Sequence, residues 1–476
     1  MKKMISFVLC ICMVVCLCAC GSSDTGATNA VPQTTAATEG KHGFLVGYSK
    51  QDITPSSPTP LYGYGNPGER LHTEVLDPLC FTCVAMTDEE DNTVMFVTID
   101  LCSMDENSAS AIRAKINAKT GVPKGNIMVS ITHSHSAPQA AAINSQLLNA
   151  AAKAGEEAME DRKEAQMFVG KSETKNINFI RHYVMNDGSV VGDNHGNESG
   201  KTYAGHASEV DQEMRVIKFS REGGKDVVLA NWQSHPHMTG GFEKTSMSAD
   251  IIGTFRMNME NDGYLFAYYQ GGAGNINPFT RISGESANAS NDYRVSGQML
   301  ASTCKMALKD AVAVDTGTIQ IKTATFEGEA NSEEIDKMAD ASRVVAYYEE
   351  GHTPWETAVY AQDNFGIQSI YHAWSLTNRG GLDPVMRVEI NAIAFGGVAW
   401  VTAPFEVFDV NAKFVRDNSP YEMTFYNGYC NGGNGYLASK EAWEYGCYEA
   451  DTAEFARGTA EKLSDTFVEM LNELHG

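Results

Sequence analysis

The chain has 476 residues, with 36 lysines and arginines against 60 aspartates and glutamates, a formal charge of −24, and 43% hydrophobic residues. So acidic a body argues against nucleic acid as a partner and against adsorption on an anionic membrane by charge. Its length allows a large core, as one big α/β unit or two closely packed parts.

The first residues, MKKMISFVLCICMVVCLCACGSS, join Lys2 and Lys3 to an apolar run and a small-residue site. This predicts a signal peptide over 1–19 rather than a membrane span. The pattern is similar to a bacterial lipoprotein signal, in which cleavage before Cys20 leaves that residue to carry lipid. The expectation is an extracytoplasmic lipoprotein of the bacterial cell membrane, attached peripherally through lipidated Cys20, with plain secretion as the alternative. Loss of the leader takes the formal charge from −24 to −26. Residues 20–43 are small, polar and aperiodic, a flexible tether.

Past the tether, apolar runs predict strands at 80–86, 94–101, 127–133, 227–232, 264–270, 386–395 and 398–403. Several are apolar throughout, which calls for sheets covered on both faces. Helical periodicity falls at 106–120, 145–168, 246–260, 294–314, 331–349 and 452–474, the last with Asp451 and Glu454 spaced for a capping box. RHYVMNDGSVVG, 181–192, reads as a hairpin turning at Asp187-Gly188. Residues 352–383 are placed in long loops over a site. The predicted class is mixed α/β, a large domain with helices over its sheets and a site at strand ends. Cys80, Cys83 and Cys102 read as buried apolar residues, whereas Cys430 and Cys447 are a candidate disulfide pair.

Polar residues gather where these strands end. In NIMVSITHSHS, Ile127, Val129, Ile131, His133 and His135 share one face by the period of two. VVLANW runs into His235 and His237, separated by Pro236. VAWVTA runs into Glu406, YLFAYYQ into the turn GGAGN, and a glycine-rich loop follows with Tyr436. Imidazoles and one carboxylate are ordinary zinc ligands in hydrolases, leaving a position for water. Asp100, polar at the end of a buried strand, is a candidate to orient a ligand histidine or to cap backbone.

GYSKQDITP at 47–55, LDPLCFTCVAM at 76–86, VMFVTIDL at 94–101, NIMVSITHSHSAP at 126–138, NWQSH at 231–235, GGAGNINP at 271–278, APFE at 403–406 and GYLASKEAWEYGCYE at 435–449 occur in that order. Together they resemble the catalytic domain of the neutral, or alkaline non-lysosomal, ceramidase family. The resemblance implies a catalytic Zn2+ held by His133, His235, Glu406 and Tyr436. It also implies that His135 meets the substrate oxygen or shuttles a proton, and that Arg181, near the scissile amide, or Tyr436 helps to stabilise the developing oxyanion. His237 is the local alternative ligand, and His72 an entrance or structural residue. Gly271 stands where the family turn is expected to begin with serine, so the implied chemistry is attack by water activated by zinc. The implied domain occupies 44–476, without the relatives' C-terminal β-sandwich.

The implied reaction is hydrolysis of the N-acyl amide of ceramide or a similar lipid, with Tyr360, Phe365, Tyr371 and Trp374 as candidates for an acyl groove. Alternatives are an esterase or deacylase acting on another N-acyl or cell-wall substrate, and a non-catalytic ligand-binding lipoprotein.

Overall fold

In the computed structural model, eight strands follow one another across a large sheet: Leu265–Gln270, Val227–Trp232, Glu213–Arg221, Lys163–Glu173, Leu45–Asp52, Cys80–Thr87, Thr93–Ile99 and Ile127–Ile131. Val312–Val314 adds a ninth, paired with Lys163–Glu173. The structure describes residues 42–64, 70–193, 201–241 and 243–476; the signal, Cys20 and the tether up to residue 41 lie outside them. Among the described residues no helix is long and apolar enough to cross a membrane.

Both ends of the sheet are parallel pairs, Thr93–Ile99 with Ile127–Ile131 and Val227–Trp232 with Leu265–Gln270, while the pairs between them run antiparallel. Helices Glu106–Thr120 and Asp250–Asn261 make the two crossovers, as a parallel connection requires. A second sheet, ordered Gln320–Glu329, Val385–Phe395, Val398–Thr402, Met423–Asn427, repeats the scheme with a parallel last pair.

The two sheets pack face to face. Trp400 of the second lies between aromatics of the first, with ring centroids 4.3 Å from Phe96 and 5.2 Å from Tyr269. Helices Glu106–Thr120, Asn144–Glu160, Asp250–Asn261 and Tyr293–Lys309 cover the outer side of the large sheet, and Thr459–His475 covers that of the second. The result is a helix–sheet–sheet–helix arrangement, the mixed α/β class expected. It explains why Cys80–Thr87 and Ile127–Ile131 are buried at every position: neither face of these strands meets water.

Several expected elements are corrected. The helix expected over 145–168 ends at Glu160, and Lys163–Glu173 is a strand, because its alternation pairs with Glu213–Arg221 along nine residues. The supposed loops at 352–383 contain helices Pro354–Phe365 and Ile370–Arg379. Thr353 and Glu356 close a capping box with Pro354 at the first turn, and Ser369 caps the second helix. The last helix is broken at Gly458, φ 90°, so Asp451 and Glu454 form no cap for it. The hairpin stands, with His182–Met185 opposite Val190–Gly192. Cys430 and Cys447 are both free and buried, in different apolar clusters, so no disulfide joins them.

Asp409 opens the short helix Asp409–Asp417 behind Glu406. Burial pushes its carboxyl up to about 7, since Asp211 takes both nearby guanidiniums, Arg215 and Arg416. Its folded value lies above the usual carboxylate range, so its contribution to stability is present at acid pH and lost as pH rises from about 4 toward 7. The stability of wild type relative to Asp409→Asn is therefore expected to fall as pH rises across that interval. Urea midpoints of the two proteins at pH 5 and pH 8 measure it, and equal differences at both pH values would refute the assignment.

Candidate metal centre

Three strand ends converge. His133 follows Ile127–Ile131, His235 follows Val227–Trp232, and Glu406 follows Val398–Thr402 of the second sheet. Their Nε2, Nε2 and Oε2 atoms form one group, with Glu406 Oε2 3.4 Å from His133 and 3.3 Å from His235. The site thus sits at the carboxyl ends of strands, where α/β folds build pockets.

The backbone fixes both rings. His133 Nδ1–H donates to the Cys102 carbonyl at 2.6 Å, and His235 Nδ1–H to the Ile276 carbonyl at 3.0 Å. With those protons on Nδ1, each Nε2 presents a lone pair. Two imidazole acceptors therefore face a carboxylate oxygen, and His235 Nε2 is buried without a hydrogen-bond donor. Acceptors that close repel one another unless a cation lies among them, so the residues present fit a divalent metal with N and O ligands. Burial, then the Arg181 charge, pushes the His235 imidazole down to about 3, which keeps it neutral.

The expected alternation through His135 stops at Ile131. His133 takes a left-handed backbone, φ 65°, and the chain turns. The two histidines still meet, because the His135 N–H is held by the carbonyl of Pro236 at 3.0 Å, and His135 Nε2 lies 3.1 Å from His133 Nε2. Burial, with His133, His235 and His237 around it, holds His135 well below the ordinary imidazole value. His237 turns away from the triad, its Nε2 2.9 Å from Asn277 Oδ1. His72 is buried and accepts from the Thr59 N–H at 2.9 Å, a structural contact.

Tyr436 pairs with Glu406 in a short parallel bridge, and its ring lies 6.5 Å from that of His235. The Arg181 guanidinium stands 5.5 Å from the same tyrosine ring. Arg181 Nε donates to Glu449 Oε1 at 2.6 Å, while its Nη2 is buried with no partner. His182 Nε2–H donates to the other oxygen of Glu449 at 2.9 Å. Cys447 completes a buried group with His182 and Glu449, but the carboxylate there already serves two cations or donors. Asp100 orients no ligand: it pairs with Arg256 at 2.6 Å and accepts from Cys80 N–H, and backbone carbonyls do the orienting.

A cavity of about 900 Å³ opens beside the centre, lined by His135, Arg181, Tyr436 and Tyr448. One wall is apolar, from Trp355, Ala358, Val359 and Ile370; another carries Asp193, Asn277 and Arg281. Of the four aromatics expected in a groove only Tyr371 lines it. Tyr360 stacks on Tyr347 at 4.1 Å, Phe365 packs on Tyr360, and Trp374 packs on Tyr348 and Tyr371. The residue missed, Trp355, shows in the sequence as the start of an i, i+3, i+4 stripe with Ala358 and Val359. Two other missed residues, Tyr429 and Glu449, have no local signature.

The GGAGN turn fits under Glu406 because it lacks side chains. A Cβ on Gly274 would lie 2.4 Å from the Glu406 carbonyl oxygen, and one on Gly271 2.7 Å from Gln233 Oε1. Gly274→Ala is expected to cost roughly 1–3 kcal/mol by overpacking and to weaken metal retention by shifting Glu406. A denaturation midpoint and metal analysis check both, and an unchanged pair of values would contradict the contact.

A family profile described as "Neutral/alkaline non-lysosomal ceramidase, N-terminal" matches residues 44–352. No curated protein matches the sequence. Among solved structures, the neutral ceramidase from Pseudomonas aeruginosa is similar in fold. It has a TM-score of 0.68 and 17% identity over 91% of this chain and 74% of that one. A ceramidase complexed with C2 gives 0.67 and 17%, over 91% and 75%.

Proposed function

From the premise that this chain belongs to the neutral/alkaline non-lysosomal ceramidase family, we propose a zinc-dependent hydrolase that cleaves the N-acyl amide of ceramide or a ceramide-like lipid. The observation that carries the reading is the triad His133 Nε2, His235 Nε2 and Glu406 Oε2, drawn together although none of the three offers a proton to another. Tyr436, in register with Glu406, is the fourth ligand of the proposal. Zinc, when bound, supplies Lewis acidity, polarising a carbonyl and making water acidic enough to act as a nucleophile near neutral pH.

The chain's own groups do the rest. His135, neutral and against the triad, accepts the proton that the attacking water loses and passes it to the nitrogen of the leaving amine. Arg181 Nη2, unpaired and beside the cavity, donates to the oxygen on which charge develops. Glu449 holds the guanidinium from behind through Nε. The apolar wall around Trp355 and Val359 accepts an acyl chain, and the polar wall faces the amine part. That charged wall, with Asp193 bound by Arg281 and Asn277, also favours a second reading: deacylation of another N-acyl compound with a more polar amine portion.

Purified protein, assayed with N-acylsphingosine and with N-acyl amino acids before and after chelation, separates these readings. Zinc-dependent release of sphingoid base supports the first, and hydrolysis confined to polar N-acyl compounds supports the second. Inactivity on all of them, with ligand binding unchanged in His133→Ala and Glu406→Ala, would leave a non-catalytic binding protein. Extracytoplasmic attachment through lipidated Cys20 belongs to the same proposal; fatty-acid labelling lost in Cys20→Ser tests it.

A further inference from the structure

Tyr429 stands two residues beyond the strand Met423–Asn427 and makes four connections at the centre. Its N–H donates at 3.1 Å to the carbonyl of Phe405, the residue before Glu406. Its own carbonyl accepts at 3.3 Å from the N–H of Ile131, two residues before His133. Its hydroxyl donates at 3.3 Å to Glu406 Oε2, the oxygen that faces both imidazoles. Its ring lies tilted over that of His133, centroids 4.4 Å apart.

The backbone of Tyr429 is left-handed, φ 54°, as is that of His133 at 65°. Bulky residues take that conformation only where their surroundings impose it, and such strain gathers at functional sites. Tyr429 is 4% exposed and absent from the cavity wall. It therefore supports the triad from the side away from the substrate.

We propose that Tyr429 is a positioning residue of the metal centre: it ties the His133 strand to the Glu406 strand through its backbone and presents Glu406 Oε2 to the metal through its hydroxyl. The inference rests on the metal reading of the triad. The last torsion of a glutamate is broad, so one donor on the correct oxygen narrows the carboxylate to the ligating orientation. Ligands restrained in this way typically lose roughly 10–100-fold in metal affinity when the restraining partner is removed.

The experiment is competition for zinc between a chelator and the apo forms of wild type, Tyr429→Phe, Glu406→Gln and the double variant. Tyr429→Phe keeps the ring on His133 and removes only the hydroxyl. The expected result is zinc affinity weaker by roughly 10–100-fold, KM unchanged at saturating zinc, and little further loss from Tyr429→Phe once Glu406 is Gln. Wild-type affinity in Tyr429→Phe, or full additivity in the double variant, overturns the inference alone. Wild-type protein that takes up no zinc overturns the metal reading and the inference together. Should Tyr429→Phe fail to fold, Tyr429→Asn, whose side chain tolerates the left-handed backbone, replaces it, and wild-type affinity there is equally decisive.

Discussion

His235→Ala is expected to yield folded protein without zinc, in which amide hydrolysis falls by a factor on the order of 10³ or more. Lewis acidity contributes several kcal/mol of barrier reduction, at about 1.4 kcal/mol per factor of ten. His235 is fully buried, its Nδ1 is committed to the Ile276 carbonyl, and Nε2 has no other partner. Apart from its bond to Ile276, the ring does nothing in the fold except fill volume and offer that lone pair. His237, two residues on, provides the internal control. Its Nε2 is taken up by Asn277, so His237→Ala should retain zinc. Metal analysis of both proteins alongside kcat/KM checks the pair; equal zinc content in the two would remove His235 from the ligand set.

The largest expected loss of stability is at Glu449. Its side chain is 1% exposed and meets Arg181, 4% exposed, and His182, 1% exposed. Removing one partner of such a pair leaves a buried charge without compensation, which costs roughly 3–5 kcal/mol. Glu449→Ala should show that loss in urea and should also lower kcat, because Arg181 loses the contact that aims it at the cavity. Burial would raise the Glu449 carboxyl, but Arg181 and then His182 hold it well below the usual range. A depressed folded value means the contribution is complete at neutral pH and is lost only as pH falls below the ordinary glutamate value. Arg181→Met combined with Glu449→Leu should recover part of the stability and none of the activity, since the buried charges go together with the donor. A loss below about 1 kcal/mol in Glu449→Ala would mean that the pair is not buried in solution.

What could be read from the sequence was whatever a single strand carries by itself. Continuous apolar runs such as TVMFVTI and IMVSI marked strands covered on both faces, and polar residues just past them marked the ends where pockets form. The grouping of His133, His235 and Glu406 followed from those ends and from the family resemblance. The left-handed turn at His133 did not, because it depends on the Pro236 carbonyl arriving from another strand. Tyr429 and Glu449 were invisible for the same reason: each acts through partners far along the chain, and neither has a spacing pattern. Helix Pro354–Phe365 was hidden by its aromatics, which blur the apolar period, although Thr353, Pro354 and Glu356 spelled its cap. Asp100 has two readings in the sequence, orienting a histidine or capping backbone, because a carboxylate at a strand end can do either; its bond from the Cys80 N–H and its pair with Arg256 decide for the second.

The ligand-bearing strands belong to two different sheets, and 273 positions separate His133 from Glu406. Neither sheet folding alone can assemble the triad, so the proposed ion is captured only after the sheets have docked around Trp400. Once captured, it acts as a rivet between them. Resistance to unfolding then becomes a function of free zinc, gaining about 2.7 kcal/mol when the ion stands at a hundred times its dissociation constant. A protein built this way has its durability set partly by the metal supply around it.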